Sequence, residues 1–371
     1  MRYNEYNSGE FRSRGRNRFI ASRIISDPTA SSIAIVAAIL VLAIITCAFF
    51  GLFADISLPA WVGNEKQPSG HLTPDPSKNY PYATKTEKTQ FLASTGGKNL
   101  NGINLNSDYA ILVKLSDMST IGYKNADEAI YPASMTKIMT VITALDFIED
   151  LDDVYTITKR VLNTVPYNAS NASLSIYFEN GDDKVSVRDL LYGIAYRSGA
   201  DSVLCLIDYF GLTLEGFVEL MNNKAKEIGL KNTRFGGAIG MDAEKNQTTC
   251  RDMAAIMAYA MENPVARELF SGGKHSLDFI DGYSYYHSTL DNLLGNMFTS
   301  ADIVLGNDYT LLAAKSGLET NAGYCLASYI RNDKTGELFV LVTAHADRSE
   351  NVPRAQNPIH DMVKIFDSLE P

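Results

Sequence analysis

Tryptophan, cysteine and histidine are all scarce in this 371-residue sequence: one Trp, four Cys and five His. The cysteines are Cys47, Cys205, Cys250 and Cys325, far apart and without a C-x-x-C pair. Cys47 falls in a hydrophobic run, which leaves three, an odd number; neither a zinc site nor a disulfide scaffold is indicated. Buried free thiols, packed as small hydrophobes, are the expectation. His71, His275, His287, His345 and His360 are scattered and form no H-E-x-x-H. Metal catalysis has no support, and no cofactor is expected. An excess of positive charge is missing too. The formal net charge is −10, which argues against nucleic acid as a partner, because phosphate binding needs clustered Lys and Arg. Internal repeats are absent.

What charge asymmetry exists lies at the start. Residues 1–31 carry six arginines against Glu5, Glu10 and Asp27, a net of +3, leaving −13 for the rest. Residues 33–54 then read IAIVAAILVLAIITCAFFGLFA, 22 residues without a charge. Such a length crosses a bilayer as a helix, the form that satisfies its backbone groups in lipid. Arginines before it and acidic residues after it predict a cytoplasmic N-terminus and an extracytoplasmic body. Trp61 falls where an interfacial aromatic belongs. A cleaved signal peptide is the rival reading, but its apolar region runs about 7–15 residues. Residues 55–88 hold Pro59, Pro68, Pro74, Pro76 and Pro81 among polar residues, an extended linker. The predicted organisation is a basic cytoplasmic tail (1–32), a transmembrane helix (33–54), an extracytoplasmic linker (55–88) and one globular domain (89–371).

Within that domain, residues 109–115 and 119–124 predict a hairpin around Ser116-Asp117-Met118. A helix is expected from Ser134 to about Phe147, apolar nearly all round and therefore buried. Val187, Leu190, Leu191, Ile194 and Ala195 mark an amphipathic helix capped by Ser186. Further helices are expected over 200–210, 214–228, ended by Gly229, and 249–262. Strands follow at 309–315, 323–331 and 337–345, then a closing helix at 357–369. Two strands, many helices, three strands and a helix predict an α+β fold. Its plan is one antiparallel sheet flanked by helices, with a mainly helical subdomain.

Three short stretches bear chemistry: Ser134-Met135-Thr136-Lys137, Ser198-Gly199-Ala200 and Lys315-Ser316-Gly317. Residues i and i+3 of a helix share a face, so the Lys137 amine lies in reach of the Ser134 hydroxyl. A serine hydroxyl needs a base before it is a useful nucleophile. Lys serves when burial or a nearby cation lowers its pKa. Ser134 at a helix N-terminus also lies near N–H groups able to stabilise an oxyanion. The plain alternative makes Ser134 a cap and Lys137 a surface charge, which fits poorly on an otherwise apolar helix. Lys315 ends a strand; there a cation and a hydroxyl can meet a substrate carboxylate, with Gly317 allowing close approach. Both patterns have decoys. Ser271-Gly272-Gly273-Lys274 lies in a Gly-rich segment. Lys334-Thr335-Gly336 sits between two strands after Asn332-Asp333 and reads as a solvated turn.

The order of these stretches, with YPASMTKIMT (131–140), VRDLLYGIAYRSGADS (187–202), FVELMNNKAKEIGLKNTRF (217–235), TTCRDMA (248–254) and AAKSGLETNAGYCLAS (313–328), resembles the serine D-alanyl-D-alanine carboxypeptidases. These belong to the low-molecular-mass penicillin-binding proteins. The resemblance covers nearly all of 105–371. It implies a β-lactamase/transpeptidase-like fold and removal of the terminal D-Ala from peptidoglycan stem pentapeptides. It makes Ser134 the acylated nucleophile, Lys137 its base and Ser198 a proton relay. Lys315 and Ser316 become the binders of the substrate carboxylate, and the Ser134 and Leu318 N–H groups the oxyanion hole. β-Lactam antibiotics are implied as acylating inhibitors. Three departures stand out. Ala200 occupies the place of the family's usual Asn, Ser316 replaces Thr, and Asn292 stands where a basic residue is common. Ala200 motivates an alternative, a catalytically impaired binder of penicillin or wall peptide. A β-lactamase is a further option, but no Glu is evident to activate a deacylating water.

Overall fold

The two hairpin strands predicted near residue 115 and the three predicted after residue 308 lie in one six-stranded sheet, although residues 125–308 intervene. The computed structural model describes residues 75, 77–164, 183–271, 274–277, 288–291, 308–346 and 357–369. The predicted cytoplasmic tail and transmembrane helix at 33–54 lie outside them, as does most of the linker. Among the described residues no helix is long and apolar enough to cross a membrane.

In chain order the sheet begins with β1 (Lys98–Asn99), β2 (Ser107–Lys114) and β3 (Ser119–Lys124). A short 3₁₀ turn, Ala133–Met135, runs into α1 (Thr136–Leu145). A small helical region follows. The ribbon β4 (Val154–Thr156) and β5 (Lys184–Ser186) brackets α2 (Lys159–Leu162). Next come α3 (Val187–Tyr196), α4 (Ala200–Tyr209) and α5 (Leu214–Ile228). After them run α6 (Cys250–Glu262), α7 (Pro264–Phe270) and a second ribbon, β6 (Lys274–Leu277) with β7 (Ser288–Asp291). The chain closes with β8 (Tyr309–Glu319), β9 (Gly323–Asn332), β10 (Leu338–Ala346) and α8 (Asn357–Asp367).

Sheet order is β1-β3-β2-β10-β9-β8. One correction to the expected antiparallel sheet is needed: β1 pairs with β3 in parallel, Lys98 opposite Gly122. Two residues bearing no apolar alternation carry no strand signal, so the edge was not legible. The other pairings are antiparallel. The central strands read as continuous apolar runs because both faces are covered. In β2, Ile111 and Val113 join the core that contains α1 and α6, whereas Ala110 and Leu112 point to α8 on the other face. The alternation repeats in β10, with Val340, Val342 and Ala344 on one side and Phe339 and Leu341 on the other. All ten residues of α1 are buried.

Caps set the helix starts as the sequence suggests. Ser186 Oγ accepts from Asp189 N at 3.0 Å, and Thr249 Oγ1 from Asp252 N at 3.0 Å. Asn263 caps α7, accepting from the amides of Val265 and Ala266, with Pro264 in the first turn. This Asn-Pro start is the local signal for a helix that apolar spacing alone did not reveal. At the other end of the chain, α8 is tied to the sheet by a buried carboxylate. Asp361 accepts from Ser107 N at 2.6 Å, Asn106 N at 2.7 Å and Asn106 Nδ2 at 3.0 Å. Asp361→Ala strands these donors, that of Ser107 buried, and should cost about 3 kcal/mol. Urea unfolding should show a clearly lowered midpoint; an unchanged midpoint would mean that α8 docks by its apolar face alone.

Candidate active site

The site forms where three elements meet: the turn into α1, the turn between α3 and α4, and the edge strand β8. Ser134 does not lie on the α-helix itself, as the i, i+3 spacing had suggested. It sits in the 3₁₀ turn, preceded by Ala133 at φ 47°, and Thr136 begins the α-helix. The spacing still works, because one tight turn also puts residues i and i+3 above one another. Lys137 Nζ donates to Ser134 Oγ at 3.2 Å. Its second acceptor is the carbonyl of Ile239.

Ser198 occupies the turn at φ 57°, in the left-handed region that a non-glycine residue adopts only at a cost of roughly 1–2 kcal/mol. Such strain persists where surrounding contacts enforce it. Here the Gly193 carbonyl accepts from both Arg197 N and Gly199 N, closing α3 tightly around the serine. Lys315 Nζ reaches across from β8 to donate to Ser198 Oγ at 3.0 Å and to the Ser316 carbonyl at 2.9 Å. Ala200, fully buried, opens α4.

β8 ends the sheet order, so one of its edges carries no neighbouring strand among the described residues. That edge can take an extended peptide as an added strand. At Gly317 the strand presses on the turn that carries Ser134. A Cβ there would stand 2.9 Å from Ala133 Cβ, 3.0 Å from Ser134 N and 3.1 Å from Pro132 O. The next residue, Leu318, is exposed. Ser316 is half-buried beside them.

Both lysines are almost wholly enclosed, 1% exposed at Lys137 and 2% at Lys315. Burial lowers the Lys137 amine from 10.5 to about 8, against the pull of Glu244, Glu319 and Asp201 toward the charged form. Lys315 falls well below the usual ammonium value, first through burial and then through repulsion from Lys137. The expected mutual repulsion therefore weighs on Lys315, which lacks the three carboxylates. Glu319 is itself raised, by burial and by the charge of Asp242. A serine hydroxyl beside a partly neutral amine, with the N–H groups of one turn and one strand edge in contact, is suited to nucleophilic attack on a carbonyl.

Thus Ser134 pairs with Lys137 and Ser198 with Lys315, while Gly317 carries β8 against residues 132–134. The decoys fall elsewhere. Lys334 is exposed in the β9–β10 turn and pairs with Asp308 at 2.5 Å, and Ser271 is an exposed residue closing α7. Among the described residues, no group of His, Cys, Asp and Glu is arranged to hold a metal. Three participants had no signal in the sequence: the Ile239 carbonyl, Glu244 and Glu319. A backbone carbonyl has no residue-type signature, and acidic residues in a loop read as solvated.

A family model for D-alanyl-D-alanine carboxypeptidases matches residues 96–345. The chain belongs to the D-alanyl-D-alanine carboxypeptidase family. It is 28% identical over 259 residues to D-alanyl-D-alanine carboxypeptidase DacF of Bacillus subtilis, covering 70% of this chain and 63% of that protein. With DacC of Escherichia coli the identity is 37% over 150 residues, 39% of this chain and 37% of that one. The chain thus spans less than two thirds of the length of these relatives. The fold is shared with the Streptomyces K15 DD-transpeptidase. That crystal structure superposes with a TM-score of 0.61 at 24% identity, over 72% of this chain and 98% of its own.

Proposed function

We propose that this protein is a membrane-anchored serine D,D-carboxypeptidase that removes the terminal D-Ala from peptidoglycan stem pentapeptides. The observation that carries the reading is the buried Lys137 amine 3.2 Å from Ser134 Oγ. Neutral Lys137 takes the Ser134 proton as Oγ attacks the penultimate D-Ala carbonyl. The resulting oxyanion is held by the N–H groups of Ser134 and Leu318. The tetrahedral intermediate collapses to an ester on Ser134. Terminal D-Ala leaves with a proton delivered through Ser198, and water then hydrolyses the ester. Lys315 and Ser316 bind the terminal carboxylate of the peptide, or that of a β-lactam. No cofactor takes part. Residues 33–54 anchor the chain in the cell membrane with its N-terminus cytoplasmic, and the linker over 55–88 holds the domain at 89–371 on the extracytoplasmic side.

The test is labelling by a fluorescent penicillin together with release of D-Ala from a pentapeptide mimic. Wild type should be labelled and should turn over; Ser134→Ala should do neither. An undiminished adduct on Ser134→Ala would end this reading. Ala200 favours a second one, a protein that acylates without turnover. The two separate on the same assay: labelling without D-Ala release selects the impaired binder. Rapid nitrocefin hydrolysis would instead select a β-lactamase.

A further inference from the structure

We propose that Glu244 is a positioning residue for Lys137, gripping the backbone so that the Ile239 carbonyl points at the amine. This rests on the reading of Lys137 as the base. Glu244 accepts from three successive amides: Ile239 N at 3.1 Å, Gly240 N at 2.5 Å and Met241 N at 3.0 Å. A carboxylate closing three N–H groups freezes that stretch of loop. The Ile239 carbonyl within it is the acceptor for Lys137 Nζ, and the preceding carbonyl, of Ala238, accepts from Thr140 Oγ1 on α1 at 2.7 Å. The loop is thus stitched to the helix that bears Lys137.

Asn246 completes the bracing. The residue is 2% exposed. Oδ1 accepts from Gly236 N at 2.8 Å and Gly237 N at 3.0 Å, while Nδ2 donates to Glu244 Oε2 and to Thr136 Oγ1, both at 3.2 Å. Thr136 adjoins Lys137 in sequence. The seat is shaped for this one side chain, because a Cβ at Gly237 would stand 2.1 Å from Glu244 Cδ. Three carboxylates bear on the Lys137 amine, Glu244, Glu319 and Asp201, and each favours its ammonium form; the neighbouring Lys315 amine is itself pushed toward the neutral form by burial and by Lys137. Among the three carboxylates Glu244 contributes most. Glu244 thus acts on the base twice, through the backbone carbonyl that it holds in place and through its own charge. Orientation and charge of the base are coupled in one residue.

The experiment is the rate of acylation by a fluorescent penicillin, measured against pH on the full-length protein and its variants. Wild type should lose acylation as pH falls through the Lys137 titration, and Lys137→Ala should abolish it. If wild-type acylation is independent of pH, or Lys137→Ala is undiminished, the base assignment fails and this inference with it. Given a pH-dependent wild type, Glu244→Gln should move the acid limb down by roughly one pH unit, because loss of a carboxylate favours the neutral amine. It should also slow the plateau rate on the order of tenfold, because the carbonyl is released. Damage to packing alone would slow the rate without lowering the limb. Glu244→Asp keeps the charge but cannot span three amides, so the rate should fall with the limb in place. Gly237→Ala, which displaces the carboxylate from its amides without removing the charge, should slow the rate with the limb in place, as Glu244→Asp does, and keeps the rate test open if Glu244→Gln does not fold. A folded Glu244→Gln protein with an unmoved limb and a rate within about twofold of wild type would overturn the inference while leaving Lys137 as base.

Discussion

Lys137→Met should leave a protein that is no longer acylated by penicillin yet is harder to unfold. The amine is 1% exposed and its pKa falls from 10.5 to about 8, with burial the leading cause. That fall corresponds to about 3 kcal/mol held against the charged form in the folded state. Methionine is close in volume and adapts to its surroundings. Leaving the Ile239 carbonyl without its donor returns about 1 kcal/mol of that gain, so a net increase of roughly 2 kcal/mol at pH 7 is expected. Losing the base should cost two to four orders of magnitude in acylation, the usual worth of a positioned proton acceptor, about 10²–10⁴-fold. The sign of the pH dependence follows from the same shift. Below about pH 8 both folded and unfolded Lys137 are protonated, and the burial cost is fully present. Between about 8 and 10.5 the unfolded chain binds the extra proton, so this residue makes wild-type stability rise with pH across that window. Lys137→Met should remove that contribution. Urea unfolding at pH 7 and pH 10, beside penicillin labelling, reads all three effects. A variant less stable than wild type at pH 7 would mean that the carboxylates of Glu244, Glu319 and Asp201 outweigh the burial cost.

Gly317→Ala should be nearly as damaging to activity, for a purely geometric reason. The added Cβ meets Ala133 Cβ at 2.9 Å, Ser134 N at 3.0 Å and Pro132 O at 3.1 Å. Two of these three neighbours are backbone atoms, and the third is a methyl carbon fixed directly to backbone. None can swing aside as the end of a long side chain does. Either β8 or the nucleophile turn must shift by some tenths of an ångström. Oxyanion donors work only near 2.7–3.1 Å, and losing one costs about 10²–10³ in rate. Acylation should therefore fall by about two orders of magnitude, while overpacking lowers stability by about 1–3 kcal/mol. Acylation within threefold of wild type would show that the Ser134 and Leu318 N–H groups do not act together as an oxyanion hole.

Much of the fold could be read from local pattern. The hairpin strands, α3, α5 and α6 carry apolar spacing matched to their period, and their polar caps lie where the chain turns. The elements that escaped are short. β1 has two residues, α2 has four and the ribbon strands β4 to β7 have three or four each. No periodicity can develop over such lengths, and these elements exist because neighbours supply their hydrogen bonds. The site divides in the same way. Ser134 and Lys137 are three residues apart, so one turn of helix brings them together whatever the rest of the chain does. The strain at Ser198 and the acceptor of Lys137 depend on loops whose conformation follows from distant packing.

Residue types and their order, by themselves, determined the α+β class, the pairing of Ser134 with the Lys137 amine, and the family to which the chain belongs, because each follows from local pattern and from the order of motifs along the chain. Tertiary structure alone decided that Lys315 meets Ser198 across 117 residues of sequence, that Gly317 lies against the Ser134 turn, and that the Ile239 carbonyl receives the Lys137 ammonium. The physical reason is that hydrogen bonds and desolvation act over a few ångströms of space, with no regard for separation along the chain. The burial that lowers the lysine pKa values is a property of the assembled core, which no single segment contains.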